Sequence, residues 1–104
     1  MGMGEKYEKL VRDGIPAKLD AKSVTYEQRT ANGAEYRREL TKKLLEEARE
    51  FATDGSVEEL ADVLEVVTAL RTLPEYADVE IVQNEKRARL GGFGKRFILK
   101  GEKD

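Results

Sequence analysis

Apolar residues along this chain recur at helical spacing through its middle and in rough alternation nearer its ends. From Ala34 to about Thr53, Leu40, Leu44 and Phe51 share one face at about 100° per residue, with Ala48 at its edge, while Leu45 and Ala52 mark a second apolar side. Asp54-Gly55 ends this first long helix, because glycine accepts the left-handed backbone of a helix C-terminus. Ser56 caps the next, and Glu59 three residues on completes a capping-box pattern. The second helix runs to about Thr72, where Leu73-Pro74 stops it. On it Val57, Leu60, Ala61, Leu64 and Val67 make one broad apolar face, and Val66, Ala69 and Leu73 another nearly opposite, as expected of a helix enclosed from both sides. A third, weaker helical stretch covers roughly Glu75 to Leu90 and ends at Gly91-Gly92.

Shorter elements flank this helical middle. Residues 7–13 read as an extended segment entering a turn of helix at Ala17-Lys18-Leu19, with Pro16 near its first position. Val24 to Thr30, bounded by Lys22-Ser23 and Ala31-Asn32-Gly33, reads as a short strand followed by a turn. Phe97-Ile98-Leu99 reads as a terminal strand, pairing with Val24 to Gln28 in a small antiparallel ribbon. Residues 1–104 form one mostly α domain with short β segments near both termini, and residues 1–6 are its disordered start.

Carboxylates interrupt the apolar pattern. Glu47 projects from the middle of the Leu40/Leu44/Phe51 face, Glu50 lies at its rim and Glu46 further out. On the second helix Asp62 points into the Val66/Ala69/Leu73 set, with Glu59 at its flank. Unpaired ionised carboxylates among apolar groups cost several kcal/mol each, so their convergence requires cations: basic partners or a metal. Glu47/Glu50 and Glu59/Asp62 are each spaced three apart, which puts each pair on one side of its helix. The short Asp54-Gly55 link folds the helices antiparallel and sets one pair against the other. The bland alternative is a charged helix with solvent-facing pairs such as Lys42/Glu46 and Lys43/Glu47.

Composition narrows the chemistry. The chain has no cysteine and no histidine, which excludes disulfides, thiolate catalysis, imidazole bases and a Cys/His zinc site. An all-oxygen donor set favours Mg²⁺ or Mn²⁺ over softer metals. Lys+Arg 19 nearly balances Asp+Glu 21, so no overall field marks a nucleic-acid or membrane-surface binder. Only Lys86-Arg87-x-Arg89 and Lys95-Arg96 argue for nucleic acid, and only locally. No secretory leader or spanning-length apolar run is visible, and the chain reads as cytoplasmic.

The acids and both ends of the chain resemble the MazG-like all-α nucleoside triphosphate pyrophosphohydrolases, a group that includes phosphoribosyl-ATP pyrophosphohydrolase. The signature EExxE, a spacer, then ExxD is matched by Glu46-Glu47-x-x-Glu50 and Glu59-x-x-Asp62, with a spacer of eight residues. Lys9-Leu10-Val11-Arg12-Asp13-x-Ile15-Pro16, Tyr36-Arg37-x-Glu39-Leu40, Lys43-Leu44-x-Glu46-Glu47 and Gly91-Gly92-Phe93 resemble the small phosphoribosyl-ATP pyrophosphohydrolase-like subgroup. One position departs: Leu90 stands where related chains commonly carry arginine before Gly-Gly-Phe, with Arg89 one place earlier.

The resemblance implies an antiparallel helical bundle of the all-α pyrophosphatase type. It implies Mg²⁺ held by Glu47, Glu50, Glu59 and Asp62, with Glu46 as an outer ligand or water-orienting base, so that Glu46, Glu47 and Glu50 form the catalytic group. The expected reaction takes a nucleoside triphosphate, or a phosphoribosyl-ATP-like nucleotide, to the monophosphate and pyrophosphate. Phosphoryl chemistry needs positioning and charge neutralisation more than a covalent nucleophile, and Arg12, Lys86 and Arg89 are candidates to hold phosphate. Tyr36, Phe51, Tyr76 and Phe93 either stack on a base or belong to the core. A small chain with a helix apolar on two sides calls for a homodimer or dimer of dimers. The competing reading is a non-catalytic helical oligomer that binds metal or nucleotide.

Overall fold

The computed structural model describes residues 7–103 and is built around one antiparallel helical hairpin. Helix α1 spans Ile15–Ala21, α2 Gly33–Asp54, α3 Val57–Arg71 and α4 Val79–Leu90, with a 3₁₀ turn at Pro74–Tyr76 between the last two. The disorder expected of residues 1–6 falls outside the described residues.

The caps follow the sequence closely. Asn32 opens α2, its side chain accepting from the Glu35 N–H at 2.8 Å, and Gly55 closes it at φ 65°, a backbone that a side chain would strain. Ser56 Oγ accepts from the Glu59 N–H at 3.1 Å and opens α3. Only Gly55 and Ser56 separate the helices, so α3 folds back along α2.

The seam between them holds the core. Leu40 of α2 and Val66 of α3 are buried with Leu73, and Leu10, Tyr36, Leu44, Ala69 and Leu70 pack around them. Tyr36 therefore serves as core, whereas Phe93 is almost fully exposed. Leu10 belongs to an extended N-terminal segment that crosses the hairpin before α1, bringing Arg12 against α3.

Three expectations need revision. The expected ribbon between residues 24–28 and 97–99 is not formed: among the described residues there is no strand. Residues 24–30 are instead pinned through side chains, Tyr26 Oη donating to Asp20 Oδ1 at 2.7 Å and Arg29 forking onto both carboxylate oxygens of Glu35 at 2.7 Å. The third helical stretch is split: a 3₁₀ turn at Pro74–Tyr76 comes first, and α4 begins only at Val79. And α3 is covered on one side only: Val57, Leu60 and Leu64 are exposed, with Val57 at 81%.

The result is an open chain. Its radius of gyration is 18.6 Å, against about 13 Å for a compact chain of this length. Its accessible surface is 9858 Å², against roughly 5,900 Å² for a compact monomer of 11.8 kDa. No described helix is long and apolar enough to cross a membrane.

With three residues at the centre of the core, each carries much of the hairpin. Leu40→Ala is expected to destabilise it by about 3 kcal/mol, read as a lowered unfolding midpoint in denaturant.

Candidate metal and phosphate site

Helix periodicity and the two-residue link place the four singled-out acids in one location. Carboxylate oxygens of Glu47, Glu59 and Asp62 lie within 4.8 Å of one another, as do those of Glu46, Glu47 and Glu50. Glu47 belongs to both groups and joins them across the seam. Its side chain is only 13% exposed, consistent with its place on the Leu40/Leu44 face, while Asp62 is 40% exposed.

Glu59, expected at the flank of the Val66/Ala69/Leu73 set and as one of four metal holders, lies in the cluster with Glu47 and Asp62. Its backbone N–H completes the Ser56 cap, but its carboxylate turns into the cluster, where Oε2 is buried without a hydrogen-bond partner. Glu47 Oε2 is buried and unpartnered in the same way. Two such buried carboxylate oxygens on facing helices are costly to keep ionised unless a proton or a cation neutralises them.

The electrostatics agree. Burial raises the proton affinity of Glu47 above the ordinary value of 4.5, and Glu50 and Asp62 raise it further, against a smaller opposing pull from Lys43. Burial also raises Glu59, reinforced by Glu50, Asp62 and Asp54. Glu46 moves the other way, held below the ordinary range by the hydrogen bond from Lys43.

Two cations already touch the acids. Arg12 Nη2 donates to Asp62 Oδ1 at 2.6 Å, and Lys43 Nζ lies 3.0 Å from Glu46 Oε1 and 3.9 Å from Glu47 Oε1. Lys43 was legible as a partner of Glu47 and as part of a family-like motif, but not as a site residue; its half-buried position between two acids makes it part of the site. A hollow of about 600 Å³ adjoins these cations, lined by Tyr7, Lys9, Arg12, Ile15 and Leu19 along with Lys43. Lys9 Nζ stands 5.9 Å from the Tyr7 ring centre, so the hollow offers an aromatic face as well as positive charge.

Lys86 and Arg89 are placed elsewhere. Both lie exposed on α4, and neither makes an ion pair with a described acid, so within one chain the basic side of the site is the N-terminal segment and Lys43. Lys9 and Lys43 carried the same signal as Arg12, basic residues within the N-terminal motifs, but only the crossing of residues 7–14 over the hairpin brings them together.

The chain matches no family model, no curated protein and no solved structure.

A raised carboxylate binds its proton more tightly folded than unfolded. Metal-free stability should therefore fall as pH rises from below 4.5 through the raised values of Glu47 and Glu59, and stay low above them. Glu47→Gln should raise the metal-free Tm at neutral pH and flatten this dependence, while weakening divalent-cation binding. Melting curves against pH, with and without Mg²⁺, check both signs.

Proposed function

We propose that the chain is a divalent-metal-dependent nucleotide pyrophosphohydrolase, cleaving a nucleoside triphosphate or a related phosphoribosyl nucleotide to the monophosphate and pyrophosphate. The observation that carries this reading is the convergence of Glu47, Glu50, Glu59 and Asp62 with two orphaned buried oxygens, beside a hollow lined by Lys9, Arg12 and Lys43. An acid cluster alone needs only a cation. Acids flanked by three bases and an aromatic ring fit a polyanion carrying its own cation.

The donor set suits Mg²⁺ or Mn²⁺, with Glu47, Glu50, Glu59 and Asp62 as holders, since all are hard oxygens. When bound, the ion neutralises charge on the phosphate chain and activates water. The chain's own groups have separate tasks. Arg12, whose Nη2 donates to Asp62, has further N–H groups to donate to a phosphate oxygen, fixing where the phosphate lies relative to the acids. Lys43 keeps Glu46 ionised, which suits Glu46 to orient the attacking water as a hydrogen-bond acceptor rather than to store its proton. Lys9 and the ring of Tyr7 offer the hollow's outer contacts to the remaining phosphate and the base.

The same reading includes a homodimer or dimer of dimers. It is supported by the exposed Val57, Leu60 and Leu64 on the outer side of α3 and by a surplus of roughly 4,000 Å² over a compact monomer, against about 800 Å² per partner in a standard interface.

A nucleotide panel with Mg²⁺, and in parallel with chelator, is expected to show metal-dependent pyrophosphate release. Glu50→Gln and Asp62→Asn are each expected to lower kcat/KM by more than about 100-fold, the upper range for groups merely outside a metal's own ligands. Metal-dependent stabilisation without release from any nucleotide would instead identify a binding module.

In solution at micromolar concentration the chain is expected to sediment as a dimer or larger. Leu60→Asp with Leu64→Asp should shift it toward monomer without loss of α2/α3 helicity.

A further inference from the structure

Residues 79–103 leave the hairpin and meet almost nothing. Helix α4 has no buried residue and is tied back chiefly by the ion pair between Arg71 and Glu80. Beyond it Phe93, Ile98 and Leu99 are 98%, 93% and 92% exposed. A twelve-residue helix is marginal in water by itself, and large apolar side chains on an open tail favour association.

The charges of the chain are split along the same line. Residues 79–103 carry seven Lys/Arg and three Asp/Glu, a net +4, whereas residues 1–78 carry twelve and seventeen, a net −5. The arm is thus drawn to an acidic hairpin, and its own lies out of its reach.

A receiving edge is present on the hairpin. Among the described residues, 25–31 make no backbone hydrogen bond, and Tyr26 and Arg29 tie the segment down by bonding to Asp20 and Glu35. Residues 97–103 likewise make no backbone bond among the described residues. Two segments outside any helix with N–H and C=O groups unused among the described residues, one tied down in acidic surroundings and one exposed and basic, are complementary halves of a ladder.

We infer that residues 97–103 of one copy of this chain add as a strand along residues 25–31 of a second copy, so that the arms are exchanged between protomers. The occupant is a second copy rather than a foreign partner because both halves of the ladder, the opposite charges and the surplus area belong to this one sequence. Exchange covers Phe97 to Leu99, supplies the missing backbone bonds on both sides, and returns the arm's cations to an acidic surface. The inference rests on the homo-oligomeric part of the reading above and not on catalysis.

The chain has no cysteine, so single reporters can be placed cleanly. Full-length Thr25→Cys and Ile98→Cys proteins are mixed and treated with a short bis-maleimide, with hydrogen exchange followed on the unmodified chain. A cross-linked dimer containing one chain of each kind is expected. Amide protection at 25–31 and 97–99 is also expected, fading together on dilution. Phe97→Asp in the Ile98→Cys chain should remove most of the cross-link, while circular dichroism reports intact α2 and α3.

A chain that sediments as a dimer with unprotected tail amides and no mixed cross-link overturns arm exchange and keeps the homo-oligomer. Tail protection that is independent of concentration overturns exchange in favour of pairing within one chain. A monomer at all concentrations overturns both. None of these readouts involves nucleotide, so their failure leaves the hydrolysis reading standing or falling on its own test.

Discussion

Four carboxylates forced into one helical seam set the terms for the rest of this molecule. Glu47, Glu50, Glu59 and Asp62 repel one another, and two of them bury an oxygen without a partner. Left alone they would push α2 and α3 apart at the end nearest the turn. The hairpin tolerates them because its fixed points lie on either side: Gly55 and Ser56 hold the turn, and Leu40, Val66 and Leu73 close the opposite end of the seam. Arg12 and Lys43 reduce the repulsion without removing it, since Glu47 and Glu59 keep raised proton affinities beside them. On the proposed reading, a bound cation would stabilise such a seam. Folding of the hairpin would then be coupled to occupancy of the proposed site.

Much of this was legible in the letters because helical geometry is local. Spacing of three within each pair, a glycine to end one helix and a serine to start the next suffice to bring Glu47 and Asp62 together. Glu59 was harder. Its capping-box position suggests a side chain returning to Ser56, whereas the carboxylate turns inward, and that choice depends on what α2 presents to it. The basic half was less legible still. Lys9, Arg12 and Lys43 are separated along the chain and meet only because residues 7–14 cross the hairpin, with Leu10 anchored in the core. Lys86 and Arg89 looked equivalent in sequence, and only the direction taken by α4 sets them apart.

The strand assignments show a different limit. Alternation at Val24 to Thr30 marks a segment that is not helical, because β-branched and aromatic residues disfavour the helix, but no strand forms there. Pairing is another matter, since a ladder needs a second segment brought into register by the rest of the fold. Here Pro74 ends the continuity between α3 and α4, and the tail is carried away from the segment it was expected to join. The same separation leaves the outer face of α3 open. A sequence pattern that demands cover does not say whether the cover comes from the same molecule.

Openness and charge segregation are linked. If the arm folded back on its own hairpin, seven cations would neutralise the acidic surface within one chain and little would remain to drive assembly. Held apart, each chain presents a basic arm and an acidic hairpin at once, so any two copies are complementary in both directions. Such reciprocal attraction favours a closed two-fold pair over an open array, because one pairing satisfies both ends together. The acids of the seam contribute twice to this balance. They gather the local negative charge on which the proposed cation and polyphosphate chemistry rests, and they supply part of the deficit that the arm's cations can answer. Metal and arm then compete for neutralising the same surface only where they overlap. The half-buried Glu47 and Glu59 lie deep enough in the seam to favour the small ion, leaving the exposed rim to the larger cations.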